Sequence, residues 1–228
     1  MSTIYGHNDK IVLDYLKNNP DTPYFISYPR TGSHWIRLVM EEYFEKPSLV
    51  VLFKKGPENG FTCYHTHDLV SDGVTTGSIE KSKVIYLYRD ISETIYSNLK
   101  YNNKNLNDTE EIKKYSNSYA LNLTKWLEKC EGDSNKLILS YENFKEDFPT
   151  EFKKLTDFFS VEFDREKLLS ITEGLSKNRV KTSSGNRYSK INDSKVYNDS
   201  REVFVTNHKD LCENTVFERN VELKKYFK

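Results

Sequence analysis

The sequence predicts an α/β fold, in which a mostly parallel central sheet carries helices on both faces. Short apolar segments with strand character alternate along the chain with longer segments of helical periodicity, and such alternation is typical of parallel sheets. The first strand also leads through a short turn into a buried helix. The 228 residues contain no internal repeat and no convincing linker, so we expect one domain over residues 1–228.

The first elements follow from periodicity and from the positions of prolines. A short amphipathic helix comes first, and its apolar face consists of Ile11, Val12, Tyr15 and Leu16. Residues 24–28 form an apolar run bounded by prolines, which predicts a short buried strand. A turn with a single glycine is expected at 29–33. The helix expected at 35–44 is apolar on most sides and is therefore predicted to be buried.

The middle of the chain continues the alternation. A second strand is expected at 61–67, after a turn at 56–60, and a third strand at 84–88. Asp90 and Glu93 are three residues apart and resemble a capping box at the start of the next helix.

The later elements are less regular. They are a polar, Asn-rich loop at 101–109, a long helix at 110–129, a fourth strand at 136–141 and a helix at 149–159. Residues at helical spacing support the long helix, namely Ile112, Tyr115, Tyr119, Leu123 and Trp126. Beyond residue 177 the pattern weakens into a polar, basic stretch at 178–195.

Composition excludes several classes of protein. The 34 basic and 34 acidic residues cancel, which argues against a general nucleic-acid coat or a polybasic membrane binder but permits a local anion pocket. The three cysteines are widely spaced and contain no Cys-x-x-Cys pair, so neither a disulfide framework nor a zinc ribbon is indicated. No apolar run reaches 18 residues, and the N-terminus lacks a signal core. We therefore expect a soluble, cytoplasmic protein without a membrane span.

The segment from the first strand into its helix has the chemistry of an anion site. Free N–H groups and the positive end of the dipole at a helix start attract anions. Gly32 lets the backbone approach a phosphate, Arg30 adds positive charge, and the hydroxyls of Thr31 and Ser33 add donors. An ordinary strand–turn–helix corner is the alternative. A nucleoside-triphosphate P-loop would need a second glycine followed by lysine, which this segment lacks.

The same segment resembles the phosphosulfate loop of sulfotransferases that use 3′-phosphoadenosine 5′-phosphosulfate (PAPS). That loop reads roughly Tyr/Phe-Pro-Lys/Arg-Ser/Thr-Gly-x-x-Trp, and the matching residues here are Tyr28, Pro29, Arg30, Thr31, Gly32 and Trp35. The resemblance implies a P-loop-kinase-like three-layer sandwich. It also implies donor contacts from Arg30, Thr31, Gly32, Ser33, His34 and Trp35. Two departures are Arg30 in place of the commoner lysine and His34 where threonine is usual.

Two further segments match the same family. Its 3′-phosphate site pairs an arginine at a strand end with a serine eight residues later, as Arg89 and Ser97 are spaced here. Arg89 closes a predicted strand, where α/β sheets bind ligands; taken alone it reads as a surface or capping ion pair. Tyr141 begins a Tyr-Glu-Asn segment like the one whose tyrosine contacts the adenine base in the family. A buried core tyrosine is the alternative.

His65 and His67 lie on one face of the second strand, because side chains alternate along a strand. The resemblance aligns His67 with the family's catalytic base and places His65 where many members carry lysine. A zinc site is a competing interpretation, although no third ligand is evident beyond Cys63 or a distant histidine. A structural pair of histidines is another.

The resemblance covers residues 24–159 and fades after them. Many members close the 3′-phosphate site with an Arg-Lys-Gly segment near the C-terminus, which is not found here. A basic stretch with Arg179, Lys181, Arg187 and Lys190 is a candidate for the same role, and among these we take Arg187 as a donor contact. A solvated basic loop is the alternative.

The resemblance implies transfer of a sulfuryl group from PAPS to an acceptor hydroxyl, or less readily an amine, with adenosine 3′,5′-bisphosphate (PAP) as product. His67 would be the general base, since an unperturbed imidazole titrates at about 6.5. Arg30 would stabilise charge on the leaving oxygen. No metal is needed, and the expected partner is a small-molecule or glycan acceptor. The alternatives are a small-molecule kinase requiring Mg²⁺ and ATP, and a non-catalytic nucleotide-binding protein.

Overall fold

A computed structural model describes residues 3–68, 82–175 and 195–227. The strands are β1 (Thr3–Ile4), β2 (Tyr24–Ser27), β3 (Val51–Leu52), β4 (Tyr64–Thr66), β5 (Val84–Tyr88) and β6 (Lys136–Ser140). The helices are α1 (Lys10–Asn18), α2 (Ser33–Phe44), α3 (Ile91–Tyr101), α4 (Thr109–Cys130), α5 (Tyr141–Glu146), α6 (Phe148–Phe158), α7 (Arg165–Gly174) and α8 (Lys195–Arg219). Short 3₁₀ helices lie at Pro57–Asn59 and Val221–Tyr226.

The central sheet is parallel and has the strand order β4-β2-β5-β6. In its register Phe25 of β2 lies opposite His65 of β4 and Ile85 of β5. β1 and β3 form a separate antiparallel ribbon. Because the four strands of the central sheet are parallel, their carboxyl ends meet at one edge. Arg30, His67 and Arg89 follow the ends of β2, β4 and β5 there. The prediction of a parallel α/β sheet is confirmed.

The sheet is covered on both faces because its side chains alternate. Along β5, Ile85 and Leu87 enter one core with residues of α1, α2, α6 and α7. Val84, Tyr86 and Tyr88 enter a second core with residues of α3, α4 and α8. Side chains therefore alternate between the two faces of the sheet along β5, as expected for a strand whose sheet is packed on both sides. The expected helices on both faces are therefore present.

Among the helices of the described residues, α5, α7 and α8 have no counterpart in the predicted elements. The 25 residues of α8 include only three buried side chains, Phe204, Cys212 and Val216, so its apolar periodicity is weak. α8 packs against α3 and α4 and its buried side chains belong to the second core. Packing against these helices stabilises α8. The local sequence pattern contains little information about such packing.

Several predicted boundaries move by a few residues. The second predicted strand shortens to β4, and Tyr141 begins α5 instead of ending β6. The capping box forms in one direction only: Asp90 Oδ1 accepts the Glu93 N–H at 2.8 Å. The reciprocal bond is replaced, because the Asp90 N–H donates to Glu142 Oε1 at 3.1 Å and the Glu93 carboxylate pairs with Arg89.

Three further observations concern membrane crossing, the cysteines and the basic stretch near the C-terminus. In the described ranges, no helix combines the length and apolarity needed to cross a bilayer. The three cysteines are buried free thiols. The basic residues Arg179, Lys181, Arg187 and Lys190 lie outside the described residues.

Candidate active site

The candidate site lies where the carboxyl ends of the central strands meet. β2 has β4 on one side and β5 on the other. The chain therefore leaves β2 toward one neighbour and later returns to the opposite side of it. Such a reversal of strand order opens a crevice at the carboxyl edge, which is where open α/β sheets bind ligands.

The loop after β2 has the backbone of an anion-binding turn. Arg30 and Gly32 both have a left-handed backbone, with φ of +75° and +93°. A non-glycine residue in this region is uncommon and costs conformational energy. α2 then begins at Ser33, with no acidic residue in its first turn and no side-chain cap from Gly32. Its positive end is therefore suited to an external anion.

Several side chains of this loop make contacts within the protein that stabilise it. The hydroxyl and the N–H of Thr31 both donate to the Tyr28 carbonyl, at 2.9 and 3.4 Å, so the expected hydroxyl donor is used within the loop. The His34 ring packs against Phe53, with ring centroids 5.8 Å apart. Trp35 packs against Phe148 at 4.9 Å. The phosphate contacts predicted for this loop therefore depend mainly on backbone N–H groups.

Arg30 connects the loop to the predicted 3′-phosphate residues. Its Nε donates to Ser97 Oγ at 3.2 Å, and its carbonyl accepts from Arg89 Nη1 at 3.3 Å. The guanidinium carbon also lies 4.9 Å from the centre of the exposed Tyr101 ring. Residues from the β2 loop, the end of β5 and the middle of α3 thus converge, as the resemblance implied.

Arg89 has the environment of a ligand-binding arginine. Its guanidinium lies over the Tyr141 ring, 4.6 Å from the centroid, and pairs with Glu93. Burial would lower the pKa of Arg89, but Tyr141, Glu93 and Glu142 outweigh it and raise the pKa. Nε is buried, and within the described residues it has no hydrogen-bond partner. A buried donor without an acceptor is rare, so this nitrogen is suited to donate to a bound anion.

Tyr119 of α4 is a residue of the site that the sequence pattern did not single out. Its hydroxyl accepts the Arg89 N–H at 3.0 Å and donates to the Arg89 carbonyl at 2.8 Å. Its ring also stacks on Tyr28, with centroids 4.7 Å apart. Tyr119 therefore clamps the end of β5 and the start of the β2 loop together. Its helical spacing marked it only as a core residue.

Gly32 is required by a close approach as well as by its backbone angle. A Cβ added at Gly32 would lie 2.4 Å from Tyr141 Cε2. The Tyr141 ring also covers the Arg89 guanidinium. The loop glycine, the arginine and the tyrosine thus form one packed unit.

We expect Gly32→Ala to lower the free energy of unfolding by about 1–3 kcal/mol, because the new methyl group meets Tyr141 and φ is positive. Denaturation monitored by circular dichroism would measure it. Gly132→Ala is the matched control, since Gly132 also has φ of +74° but nothing within 4 Å of an added Cβ. An equal loss in the two variants would show that contact with Tyr141 contributes nothing.

His67 is held in a defined orientation and tautomer at the end of β4. Its Nδ1 lies 2.7 Å from the Ser27 carbonyl oxygen. A carbonyl only accepts, so Nδ1 carries the hydrogen and the neutral ring keeps its lone pair on Nε2. The His67 carbonyl accepts from Asn122 Nδ2 at 3.4 Å. This is the tautomer that a general base using Nε2 requires.

The residue after His67 anchors the chain where it leaves the sheet. Asp68 has φ of +50°, and its carboxylate pairs with Lys125. The same carboxylate accepts from Trp126 Nε1 at 2.9 Å. α4 therefore fixes the backbone on the far side of His67, while β2 fixes its ring.

His65 is close to His67 but differs in environment. The two ring centroids are 4.8 Å apart, and His65 Nε2 lies 3.5 Å from Ser27 Oγ. Burial, with a smaller contribution from Arg37, holds the pKa of His65 well below its usual range. His65 is therefore neutral and does not supply the charge of the lysine that many members of the resembled family carry here.

A metal site at the histidine pair has no support in the described part of the chain. No group of three or more His, Cys, Asp or Glu side chains there is arranged to hold a metal ion. Ser27 lies within hydrogen-bonding distance of both histidines, through its hydroxyl for His65 and its carbonyl for His67.

Comparison with known proteins finds similarity to sulfotransferases. The family model described as "Sulfotransferase domain" matches residues 63–210. Sulfotransferase 6B1 of Danio rerio is 24% identical over 190 residues, which cover 70% of this chain and 64% of that protein. The chain thus spans less than two thirds of the length of this curated relative.

Solved structures establish the fold. The mouse sulfotransferase SULT7A1 complexed with PAP has a TM-score of 0.56 and 18% identity, over 82% of this chain and 83% of that one. A retinol dehydratase in complex with retinol and PAP has a TM-score of 0.61 and 14% identity, over 90% and 86%. The predicted P-loop-kinase-like sandwich is therefore confirmed. Since the family model covers well over half of the sequence, the chain belongs to the sulfotransferase domain family.

Proposed function

We propose that this protein transfers a sulfuryl group from PAPS to the hydroxyl group of a small-molecule or glycan acceptor. The observation that carries the proposal is the convergence of Arg30, Arg89 and Ser97 beside the start of α2. Membership of the sulfotransferase family supports the reaction class. The solved neighbours hold PAP, the nucleotide that PAPS leaves after transfer.

The residues present fit the nucleotide part of this donor. The first turn of α2 suits the 5′-phosphosulfate, since it lacks an acidic residue and a side-chain cap. Arg89 and Ser97 suit the 3′-phosphate, and the buried Arg89 Nε has no other acceptor in the described residues. Tyr141 lies against Gly32 and Arg89, and this position supports its proposed contact with the adenine. PAPS supplies the activated sulfuryl group when it is bound.

In the proposed reaction His67 Nε2 takes the proton of the acceptor hydroxyl while the new oxygen–sulfur bond forms. The Ser27 carbonyl keeps the other ring nitrogen protonated, so that Nε2 is the basic atom. The electron pair of the breaking sulfur–oxygen bond passes to the leaving phosphate oxygen. Arg30 stabilises the charge that develops there. Because His65 is neutral, it does not stabilise this negative charge, and Arg30 and the start of α2 do so.

The test is calorimetric titration with PAP, AMP and ATP·Mg²⁺. We expect PAP to bind at micromolar concentration or tighter and AMP to bind much more weakly. Arg89→Ala should weaken PAP binding by about 100-fold, because a charge-assisted fork to the 3′-phosphate is lost. Arg219→Ala, an exposed arginine of α8 that contacts Asn117, is the control.

Two outcomes would select the alternatives. No binding of PAP, or a preference for ATP·Mg²⁺, would favour a small-molecule kinase. Tight binding of PAP without transfer from labelled PAPS to any hydroxyl or amine acceptor would favour a non-catalytic nucleotide-binding protein.

Three features of the proposal rest on sequence alone. Arg187 is proposed as a further donor contact. A cytoplasmic location is proposed from the pattern of reduced cysteines, and a single domain from the absence of a linker.

A further inference from the structure

The side chain of Arg30 lies along one face of α3. Its Nε donates to Ser97 Oγ at 3.2 Å, and its guanidinium carbon lies 4.9 Å from the centre of the Tyr101 ring. Ser97 and Tyr101 are four residues apart, so they are neighbours on the helix surface. Ser97 has a place in the proposed donor site, whereas Tyr101 has none there.

Tyr101 contributes little to the packing of the fold. It is the last residue of α3, it is 44% exposed, and it belongs to neither of the two cores. The other exposed large apolar side chains of the described ranges are aliphatic. Burial therefore does not explain an aromatic residue at this position, whereas contact with a cation of the candidate site does.

An aromatic ring can hold the Arg30 guanidinium without cancelling its charge. The face of the ring is partially negative but carries no net charge. A guanidinium can also donate from Nε while its carbon lies over a ring, and a lysine ammonium has no such second donor. Arg30 makes both kinds of contact. The ring of Tyr101 thus gives a physical reason for arginine at a position where lysine is commoner.

We propose that Tyr101 is a positioning residue for Arg30, and that its ring keeps the guanidinium oriented for the transfer step. This inference rests on the proposed function, in which Arg30 stabilises charge on the leaving oxygen. Tyr101 acts through Arg30 and does not touch the reacting atoms. Loss of the ring therefore lowers the transfer rate, because the guanidinium is less well oriented in the transition state, and leaves PAP affinity nearly unchanged.

The test uses water as the acceptor, so it does not require the natural one. The new sulfur–oxygen bond forms to water, the bond from sulfur to the 5′-phosphate oxygen breaks, and sulfate and PAP are released. The proton of water passes to His67 Nε2. Release of labelled sulfate from PAPS with the enzyme in excess gives the single-turnover rate, and calorimetry gives PAP affinity.

Tyr101→Leu is expected to lower this rate about fivefold, since one cation–π contact is lost, and to change PAP affinity by less than about twofold. Tyr101→Phe keeps the ring and should retain most of the rate. Leu121→Ala removes another exposed apolar side chain, from α4, and is the control that should change neither quantity. A Tyr101→Phe variant as slow as Tyr101→Leu would overturn the inference.

A double-mutant cycle tests whether the effect passes through Arg30. In the Arg30→Ala background, Tyr101→Leu should lower the rate no further, because no guanidinium remains to be positioned. An undiminished fivefold loss in that background would mean that the ring acts independently of Arg30.

A second readout does not depend on activity. The Arg30 Nε–H resonance of the ligand-free protein, assigned with Arg30→Lys, is expected to shift in Tyr101→Leu because the ring current is lost. Tyr101→Phe should leave it near its wild-type position. An unchanged resonance in Tyr101→Leu would exclude the contact.

The outcomes separate this inference from the proposed function. If wild type binds no PAP and releases no sulfate from PAPS, the proposed function fails and the inference falls with it. If wild type does both and Tyr101→Leu releases sulfate at the wild-type rate, the proposed function stands and Tyr101 is excluded as a positioning residue.

Discussion

His67→Ala is expected to lower the rate of sulfuryl transfer by about 10²–10⁴-fold, the usual contribution of a positioned general base, while PAP affinity stays within about twofold. The imidazole has a fixed tautomer because Nδ1 is bonded to the Ser27 carbonyl. Its loss leaves the acceptor proton without a base. Transfer from labelled PAPS and calorimetry with PAP, on the same preparation, would measure the two effects.

The control is His208→Ala, because His208 lies on α8 and its ring packs against Phe204. It should change neither rate nor affinity. A normal rate in His67→Ala would remove His67 from the mechanism. If His65→Ala lowered the transfer rate and His67→Ala did not, the base would be His65, despite its burial and its lowered pKa.

Arg30→Ala is expected to lower the transfer rate by about 10²–10³-fold, the range found when one preorganised donor to a developing charge is removed. Arg30 is already left-handed, with φ of +75°, so alanine adds little backbone strain. Affinity for PAP, which lacks the transferred group, should fall much less than the rate. Single-turnover rates and PAP titrations separate the two quantities.

Arg30→Lys should recover only part of the rate lost in Arg30→Ala. Lysine keeps the positive charge but not the Nε donor that binds Ser97. Arg165→Ala, which removes an exposed arginine at the start of α7, is the control. An unchanged single-turnover rate at saturating PAPS, together with a loss of PAP affinity in Arg30→Ala, would mean that Arg30 binds the nucleotide without favouring the transition state.

The segments that were predicted well are those whose signals are local. β2 is an apolar run between prolines, and the loop after it combines a turn glycine with a helix start. Arg89 and Ser97 are eight residues apart across the start of a helix with an Asp90 cap, so their shared surface follows from helix geometry. Such features depend on a few neighbouring residues, so they can be predicted from a short segment of the sequence.

The features that were missed depend on contacts between distant segments. Tyr119 holds the backbone of Arg89 across 30 positions of sequence. The His67 segment is pinned by Asn122 and by the Asp68 pair with Lys125. These residues have ordinary helical positions, and their partners cannot be read from periodicity.

By itself, the sequence determined the alternation of strands and helices and the turn with a single glycine before α2, which follow from local propensity and periodicity. Its resemblance to sulfotransferases singled out the segments that carry Arg89 and His67. The tertiary structure decided the tautomer of His67, the neutrality of His65 and the approach of Arg201 to Glu93. The hydrogen bond of His67, the burial of His65 and the ion pair of Arg201 form only after packing has brought separate elements together.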